Sequence, residues 1–306
     1  MPTLRIATRK SRLALWQSEH VADRLRAAHP GLEVELVPMS TRGDEVLDRS
    51  LADIGGKGLF LKELEHALLD GRADIAVHSL KDVPATVPEG LGLSAYLPRA
   101  DWADWWLTRD GRAPSRMPPG SRVGTSSVRR QSQLLRRYPE FEIVPIRGNV
   151  ETRLKLMTSG EVDAVVLAAA GIGRLGLSPS HTLALGPPDF LPAPGQGVIV
   201  IQSRLDDPAT GRLLEAVDCR ETRVVVAAER AVVARLGGDC RMPLAALARY
   251  RDDQLSLAAR LVRPDGTLSI DVELDGQPDA AAELGHRAAE LILERGGQAI
   301  LDQLPE

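Results

Sequence analysis

Two periods of hydrophobic and polar residues alternate along the first two-thirds of this 306-residue chain. Short β-branched runs, LRIAT (4–8), VELVPM (34–39) and ADIAVHS (73–79), read as strands. Between them, SRLALWQSEHVADRLRAAH (11–29) has helical spacing with Ser11 as N-cap, and GLFLKELEHALLDG (58–71) is a helix closed by Gly71. The rhythm restarts after LPRADWADWW (97–106). SRVGTS (121–126), FEIVPI (141–146) and VDAVVLA (162–168) read as strands, and SVRRQSQLLRRY (127–138) and NVETRLKLMTSG (149–160) as helices. A βαβα rhythm of this kind builds parallel sheets covered by helices on both faces. It occurs twice, with a crossing near 98–102, where Trp102, Trp105 and Trp106 are expected to pack, an aromatic ligand platform being the weaker alternative. LPAPGQG (191–197) reads as a return linker, and VIVIQSR (198–204) as a strand rejoining the first unit.

The remainder has a different pattern. A helix (221–238) precedes three alternating runs, PLAALARY (243–250), QLSLAARLVR (254–263) and LSIDVEL (268–274), which predict an antiparallel sheet. A long helix (279–297) follows. The expected fold class is α/β: two α/β domains, 1–97 plus 198–215 and 103–191, and a third α+β domain, 220–306, that carries Cys240.

Composition narrows the function. The net charge is −4, with 43% hydrophobic and 26% charged residues, an ordinary globular balance with no nucleic-acid footprint. Two cysteines cannot build a disulfide framework, and no Cys/His cluster predicts a metal. The expected location is a thiol-reducing cytoplasm. No apolar signal core or membrane-spanning run is visible. Of 38 basic residues five are lysine, and Lys57 and Lys81 both fall in segments singled out on other grounds.

Ligands of open α/β sheets bind beyond the carboxyl ends of the strands. Four such ends carry arginine: Arg9 with Ser11 after LRIAT, Arg129 and Arg130 after GTSS, Arg147 with Gly148-Asn149 after FEIVPI, and Arg174 after VDAVVLAAAGIG. Arg153 follows on the helix opened by Asn149. Several of these ends begin a helix, whose unpaired N–H groups favour anions. Thr125, Ser126 and Ser127 add hydroxyl donors. Arginine pairs carboxylates in a two-pronged geometry, so the set points to a polycarboxylate or polyphosphate. A single strand-end arginine is ordinarily a surface charge. In VHSLKDVPA (77–85) the Lys81 ammonium favours an ionised Asp82, suited to stabilising positive charge or moving a proton, or else a plain loop ion pair. DIGGKGLF (53–60) is either a lid bearing Lys57 or a helix-entry turn. GIGRLG (171–176) lacks the downstream acid of a nicotinamide site. Cys240 in LGGDCRMPLAAL is either a buried small residue or an attachment point, and Cys219 has the same Asp and Arg neighbours.

IATRKSRLALWQ, GGKGLFLKELE, ADIAVHSLKDVPA, GTSSVRRQ, IRGNVETRL, LAAAGIGRLGL, LPAPGQGVI and GGDCRMPLAA, in this order and over nearly the whole chain, resemble the porphobilinogen deaminase (hydroxymethylbilane synthase) family. The resemblance implies a transferase of porphyrin and haem biosynthesis. It would condense four porphobilinogen molecules head to tail, release ammonia at each step, and finally add water to free a linear tetrapyrrole. It implies a dipyrromethane cofactor fixed by a thioether, here to Cys240, where Gly237 and Gly238 would let the attachment segment bend. It implies that Asp82 is the catalytic residue, and that Ser79, Lys81, Thr125, Ser127, Arg129, Arg130, Arg147 and Gly148 hold the cofactor. Arg9, Ser11, Lys57, Arg153 and Arg174 would bind substrate and the growing polypyrrole chain. Two lobes like those of periplasmic binding proteins, a third domain bearing the cofactor, and a cytoplasmic monomer are also implied. Three positions depart from the family pattern: Asp53 stands where some members have lysine, Asp239 separates the glycine pair from Cys240, and Arg12 follows Ser11 where proline is frequent. The rival readings are a non-catalytic two-lobed receptor for small anions and, behind it, a nicotinamide oxidoreductase.

Overall fold

The β-branched runs become strands of two five-stranded sheets in a computed structural model that describes residues 3–40, 61–238 and 242–304. In chain order the strands are β1 (Leu4–Arg9), β2 (Val34–Met39), β3 (Ile75–Ser79), β4 (Leu91–Tyr96), β5 (Asp104–Thr108), β6 (Arg122–Gly124) and β7 (Glu142–Val144). They continue with β8 (Ala164–Ala168), β9 (Thr182–Leu185), β10 (Ile199–Arg204), β11 (Leu244–Arg251), β12 (Gln254–Val262) and β13 (Ser269–Gly276). The main helices are α1 (Arg12–Ala28), α2 (Lys62–Leu69), α3 (Val128–Arg137), α4 (Val150–Thr158), α5 (Ala169–Arg174), α6 (Pro208–Glu215), α7 (Arg220–Arg235) and α8 (Ala281–Glu294).

The chain divides into two compact units, Met1–Ala100 with Val198–Arg223, and Asp101–Gly197 with Val224–Glu306. The first contains the sheet β2-β1-β3-β10-β4. β1 runs parallel to β2 and β3, while β10 lies antiparallel between β3 and β4. Ile75 to His78 and Ile199 to Ser203 are buried, as expected of central strands covered on both faces. Val21, Ala22 and Leu25 of α1 pack on one face with Ile6, Ile75 and Ile201. Leu64, Ala67 and Leu68 of α2 pack on the other with Ala7 and Ala76.

The second unit contains the sheet β7-β6-β8-β5-β9, which has the same order of directions. β6 is parallel to β7 and β8, and β5 is antiparallel to β8 and β9. Here the structure corrects an expectation. Trp105 and Trp106 do not belong to a crossing; they lie in β5, paired with Leu167 and Val166 of β8. Trp106 is buried, stacks on Phe141 at 5.9 Å, and donates its indole N–H to Arg112 O at 2.9 Å. The β-propensity of tryptophan and a fully covered strand outweigh the polar flanks that read as loop.

The same unit holds the antiparallel meander β11-β12-β13. Its first hairpin turns at Asp252, which has φ 52°, a left-handed conformation that Asp tolerates better than most residues. Arg260 of β12 is buried and joins this sheet to the neighbouring layer. It donates to Asp189 O and Pro188 O, both at 2.8 Å, to Gln133 Oε1 at 3.2 Å, and to Asp271. Among the described residues no helix is long and apolar enough to cross a membrane.

Candidate functional site

The sequence-predicted residues fall at the carboxyl ends of the parallel strands of each sheet. In the first unit β1 and β3 are neighbours, so Arg9, which ends β1, and Ser11 just after it lie beside the end of β3, which closes at Ser79 and is followed by Lys81 and Asp82. Ser11 caps α1, its hydroxyl accepting the Ala14 N–H at 3.3 Å. Gln17 of the same helix donates to Ser79 Oγ at 2.9 Å. Lys81 and Asp82 ride on a single 3₁₀ turn, Leu80–Asp82. That turn is pinned by buried Leu80, whose N–H donates to Val198 O at 3.0 Å. The anchor leaves Lys81 half-buried and Asp82 exposed.

Behind this turn, His78 is buried with Nε2 3.0 Å from Gln202 Oε1, and Gln202 donates to Glu65 Oε1 at 3.2 Å. An amide oxygen as partner places the imidazole proton on Nε2. Burial pushes the His78 pKa down to about 4, the Gln202 hydrogen bond opposes it, and the charge of Arg9 adds to the fall. His78 is therefore neutral near pH 7.

In the second unit the order β7-β6-β8 sets three parallel strand ends side by side. Thr125, Ser127, Arg129 and Arg130 follow β6, Arg147 and Gly148 follow β7, and Arg174 ends α5 after β8. Ser127 caps α3 by accepting the Arg130 N–H at 3.4 Å, and Thr125 Oγ1 accepts the Ser127 N–H at 3.2 Å. Asn149 caps α4 through Thr152 N at 2.8 Å. Gly148 has φ 93°, and a Cβ there would lie 2.8 Å from the Thr152 side chain, so the turn requires glycine. Arg153 folds back to donate to Gly148 O at 3.0 Å. Arg147 is half-buried and makes no ion pair or hydrogen bond among the described residues.

Arg129 and Arg130 do not lie on the surface: they are 4% and 5% exposed. They meet Asp104 of β5, a residue that sequence reasoning missed. Arg130 grips Asp104 Oδ1 with Nε at 2.9 Å and Nη2 at 2.6 Å, and its Nη1 donates to Val166 O at 2.9 Å. Arg129 Nη1 lies 2.8 Å from Asp104 Oδ2 while donating to Leu191 O at 2.7 Å. Gln196 Nε2 adds 3.1 Å to Oδ1. Burial raises the Asp104 pKa, but the two guanidinium charges win and hold it well below the usual carboxylate range. Burial likewise lowers Arg129, against the opposing charge of Asp104. Arg174 is tied inward, its Nη2 donating to Gly197 O at 2.7 Å, and burial lowers its pKa to about 10, so it stays cationic at neutral pH.

Lys57 and Cys240, with Asp53 and Asp239, lie outside the described residues. The segment leading toward Cys240 ends at Gly237, with φ 68° and open space where a Cβ would stand, and at Gly238. Cys219, the other thiol, is half-buried where α7 begins, and its amide donates to Tyr96 O at 2.7 Å.

These groups fit a polycarboxylate. Two buried guanidiniums face one carboxylate, a third arginine has no partner among the described residues, and the first turn of α3 carries no acid. Positive charge therefore remains at a helix start, where an anionic ligand is stabilised. A dipyrromethane, with acetate and propionate on each ring, presents such carboxylates. Among the described residues no group of three or more His, Cys, Asp or Glu could hold a metal ion.

Comparison with known proteins agrees with this chemistry. Residues 4–212 match the family described as porphobilinogen deaminase, dipyromethane cofactor binding domain, and residues 224–294 match the porphobilinogen deaminase C-terminal domain. The chain is 52% identical to a porphobilinogen deaminase of Xanthomonas campestris pv. campestris over 304 residues, covering 99% of this chain and all of that protein. It is 46% identical to that of Chromobacterium violaceum over 301 residues, covering 98% and 97%. Among solved structures, the periplasmic aliphatic sulphonate binding protein SsuA from Escherichia coli has TM-score 0.44 at 13% identity, covering 96% of this chain and 88% of that one. On the two domain matches and on relatives matched end to end, this chain belongs to the porphobilinogen deaminase family, transferases of tetrapyrrole biosynthesis that carry a dipyrromethane cofactor.

Proposed function

We propose that the chain joins four porphobilinogen molecules head to tail into hydroxymethylbilane, with Asp82 as catalytic residue and Cys240 as the cofactor anchor. The observation that carries this reading is the convergence of Arg129, Arg130, Arg147 and Arg174 at three adjacent parallel strand ends, with more positive charge than the surrounding acids balance.

Bound dipyrromethane supplies the pyrrole carbon to which the first substrate ring is joined. The protein's residues do the rest. Thr125, Ser127, Arg129, Arg130, Arg147 and Gly148, and likewise Ser79 and Lys81, are the residues proposed to hold the cofactor's acid arms. Arg9, Ser11, Lys57, Arg153 and Arg174 receive the arms of the incoming ring and the growing chain. Loss of ammonia from porphobilinogen leaves a cationic methylene-pyrrole. The Asp82 carboxylate, presented by a turn anchored through Leu80, stabilises that charge and takes up the proton released after the carbon–carbon bond forms. A thiolate at Cys240 can trap the same kind of electrophile, which accounts for the anchor.

The proposed division of labour is three domains: 1–97 plus 198–215 with the Asp82 turn, 103–191 with the arginines, and 220–306 with Cys240. Each contains its own sheet, which supports the division. The proposed working form is a cytoplasmic monomer. Intact-mass measurement of the purified protein tests the whole reading. An increment of two linked pyrroles, together with porphobilinogen turnover, is expected. Active protein of unmodified mass would end it.

A further inference from the structure

Asp104 is buried in β5, opposite Ala168 at the carboxyl end of β8, and thus stands at the site end of the second sheet. We propose that Asp104 is a positioning residue of the deaminase reaction: it supplies from a neighbouring strand the acid that the start of α3 lacks, and so holds Arg129 ready for a carboxylate of the pyrrole chain. The proposal rests on the reading above.

The first turn of a helix carries positive partial charge and ordinarily takes Asp or Glu. α3 has none there, and instead places two adjacent arginines in its first turn, both buried. Left alone, these cations would repel each other and turn toward water. Asp104 keeps them inside, and it treats them unequally. Arg130 closes on Oδ1 with two nitrogens and gives its third to Val166 O, so every nitrogen of that guanidinium has an internal acceptor. Arg129 offers only Nη1, whose hydrogen bond goes to Leu191 O. Oδ2 consequently has a cation 2.8 Å away and no aligned hydrogen bond. Arg129 Nε and Nη2 donate to nothing among the described residues. One acid balances one of two bases, and the surplus charge rests on Arg129, on the guanidinium edge still able to grip a carboxylate in two-pronged fashion. Asp104 is itself held in place: Gln196 Nε2 binds both its Oδ1 and the carbonyl of Trp102, at 3.1 and 2.8 Å.

The test compares Asp104→Asn, Asp104→Glu and Val165→Ala. Val165 is fully buried in β8 and carries no polar group, so its truncation lowers stability without touching the charges. Each full-length chain is produced without cofactor and incubated with porphobilinogen. The rate of dipyrromethane loading is followed by intact mass, and the melting temperature is read before and after loading. Val165→Ala is expected to melt earlier yet load at the wild-type rate and gain the wild-type stabilisation on loading. Asp104→Asn is expected to load at least roughly tenfold more slowly, since small misplacements of binding groups carry penalties of that order, and to gain less on loading. Asp104→Glu, which keeps the charge, is expected to fall between Asp104→Asn and wild type, and it carries the test alone if the Asn variant does not fold. Loading of the Asp104 variants at the wild-type rate overturns the proposal. Equal slowing in Val165→Ala also overturns it, because the effect would then be one of stability. Wild-type protein that takes up no dipyrromethane would instead overturn the functional reading.

Discussion

Arg174 Nη2 donates to the carbonyl oxygen of Gly197 at 2.7 Å, so an arginine predicted to bind substrate also secures the end of the LPAPGQG segment. Replacing it removes a cation and strands a carbonyl. Arg174→Gln is expected to raise the KM for porphobilinogen and to cost about 1–3 kcal/mol of stability, the usual loss for a charged hydrogen bond. Steady-state kinetics and urea denaturation check both effects. Wild-type KM in the variant would remove Arg174 from the substrate set.

Acid should weaken the first unit before ordinary carboxylates titrate. His78 has a folded-state pKa of about 4 against about 6.5 when unfolded. The unfolded chain therefore binds the extra proton between these values. The contribution is fully present above pH 6.5 and is lost as pH falls toward 4, amounting to about 3 kcal/mol. In urea titrations at pH 7 and pH 4.5, His78→Gln should lose distinctly less stability than wild type. Parallel losses would show that the buried ring does not set this dependence. Asp104, whose pKa is depressed, contributes its stability above its unfolded value near 3.8 and loses it below, outside that interval.

Asp82 is exposed on its turn, so Asp82→Asn should leave the fold intact and the cofactor attached. Turnover should fall by about a hundredfold or more, within the range for loss of a group that transfers protons. Near-normal turnover with full cofactor occupancy would show that the charge is dispensable.

Cys240→Ala should abolish the dipyrromethane mass increment, whereas Cys219→Ala should retain it. The Cys219 link to Tyr96 runs through its backbone amide and survives the substitution. Loss of the increment in the Cys219 variant would reassign the anchor.

Arg147 and Arg260 should separate binding from folding. Arg147 has no partner among the described residues, so Arg147→Ala should leave the melting temperature nearly unchanged while impairing cofactor loading. Arg260→Ala takes the guanidinium donor from the Asp189 and Pro188 carbonyls, while exposed Asp271 keeps its Ser269 hydroxyl, and should cost about 1–3 kcal/mol, the usual loss when buried acceptors lose a charged donor. The reverse pattern in thermal melts would contradict these roles.

The parallel strands and the cap residues were legible because each depends on local pattern. VELVPM has the predicted bounds of β2, and Ser11 caps the helix it was expected to cap. VIVIQSR was legible as β10 from its β-branched run although its partners β3 and β4 are distant in sequence; three other strands were not. β4, β5 and β9 carry too short or too polar a signal, and β5 shows itself only when its antiparallel pairing with β8 is seen. The same limit hid Asp104. In ADWADWW it looks like one more polar residue of a loop, and nothing nearby announces that Arg129 and Arg130, which follow β6, will close on it. The arginines were legible as a set at strand ends, but burial divided that set: Arg130 is bonded inward through every nitrogen, and Arg147 is not bonded at all among the described residues.

The insertion of β10 between β3 and β4 has a consequence for biosynthesis. Ser79 pairs with Ile199, so the open flank of β3 waits for about 120 further residues to leave the ribosome. At roughly 5–20 residues per second that delay is about 6–24 s. During it, the nascent chain exposes an unpaired strand edge of the kind that recruits other chains, and chaperone binding should concentrate on nascent chains from which residue 79 has emerged and residue 204 has not.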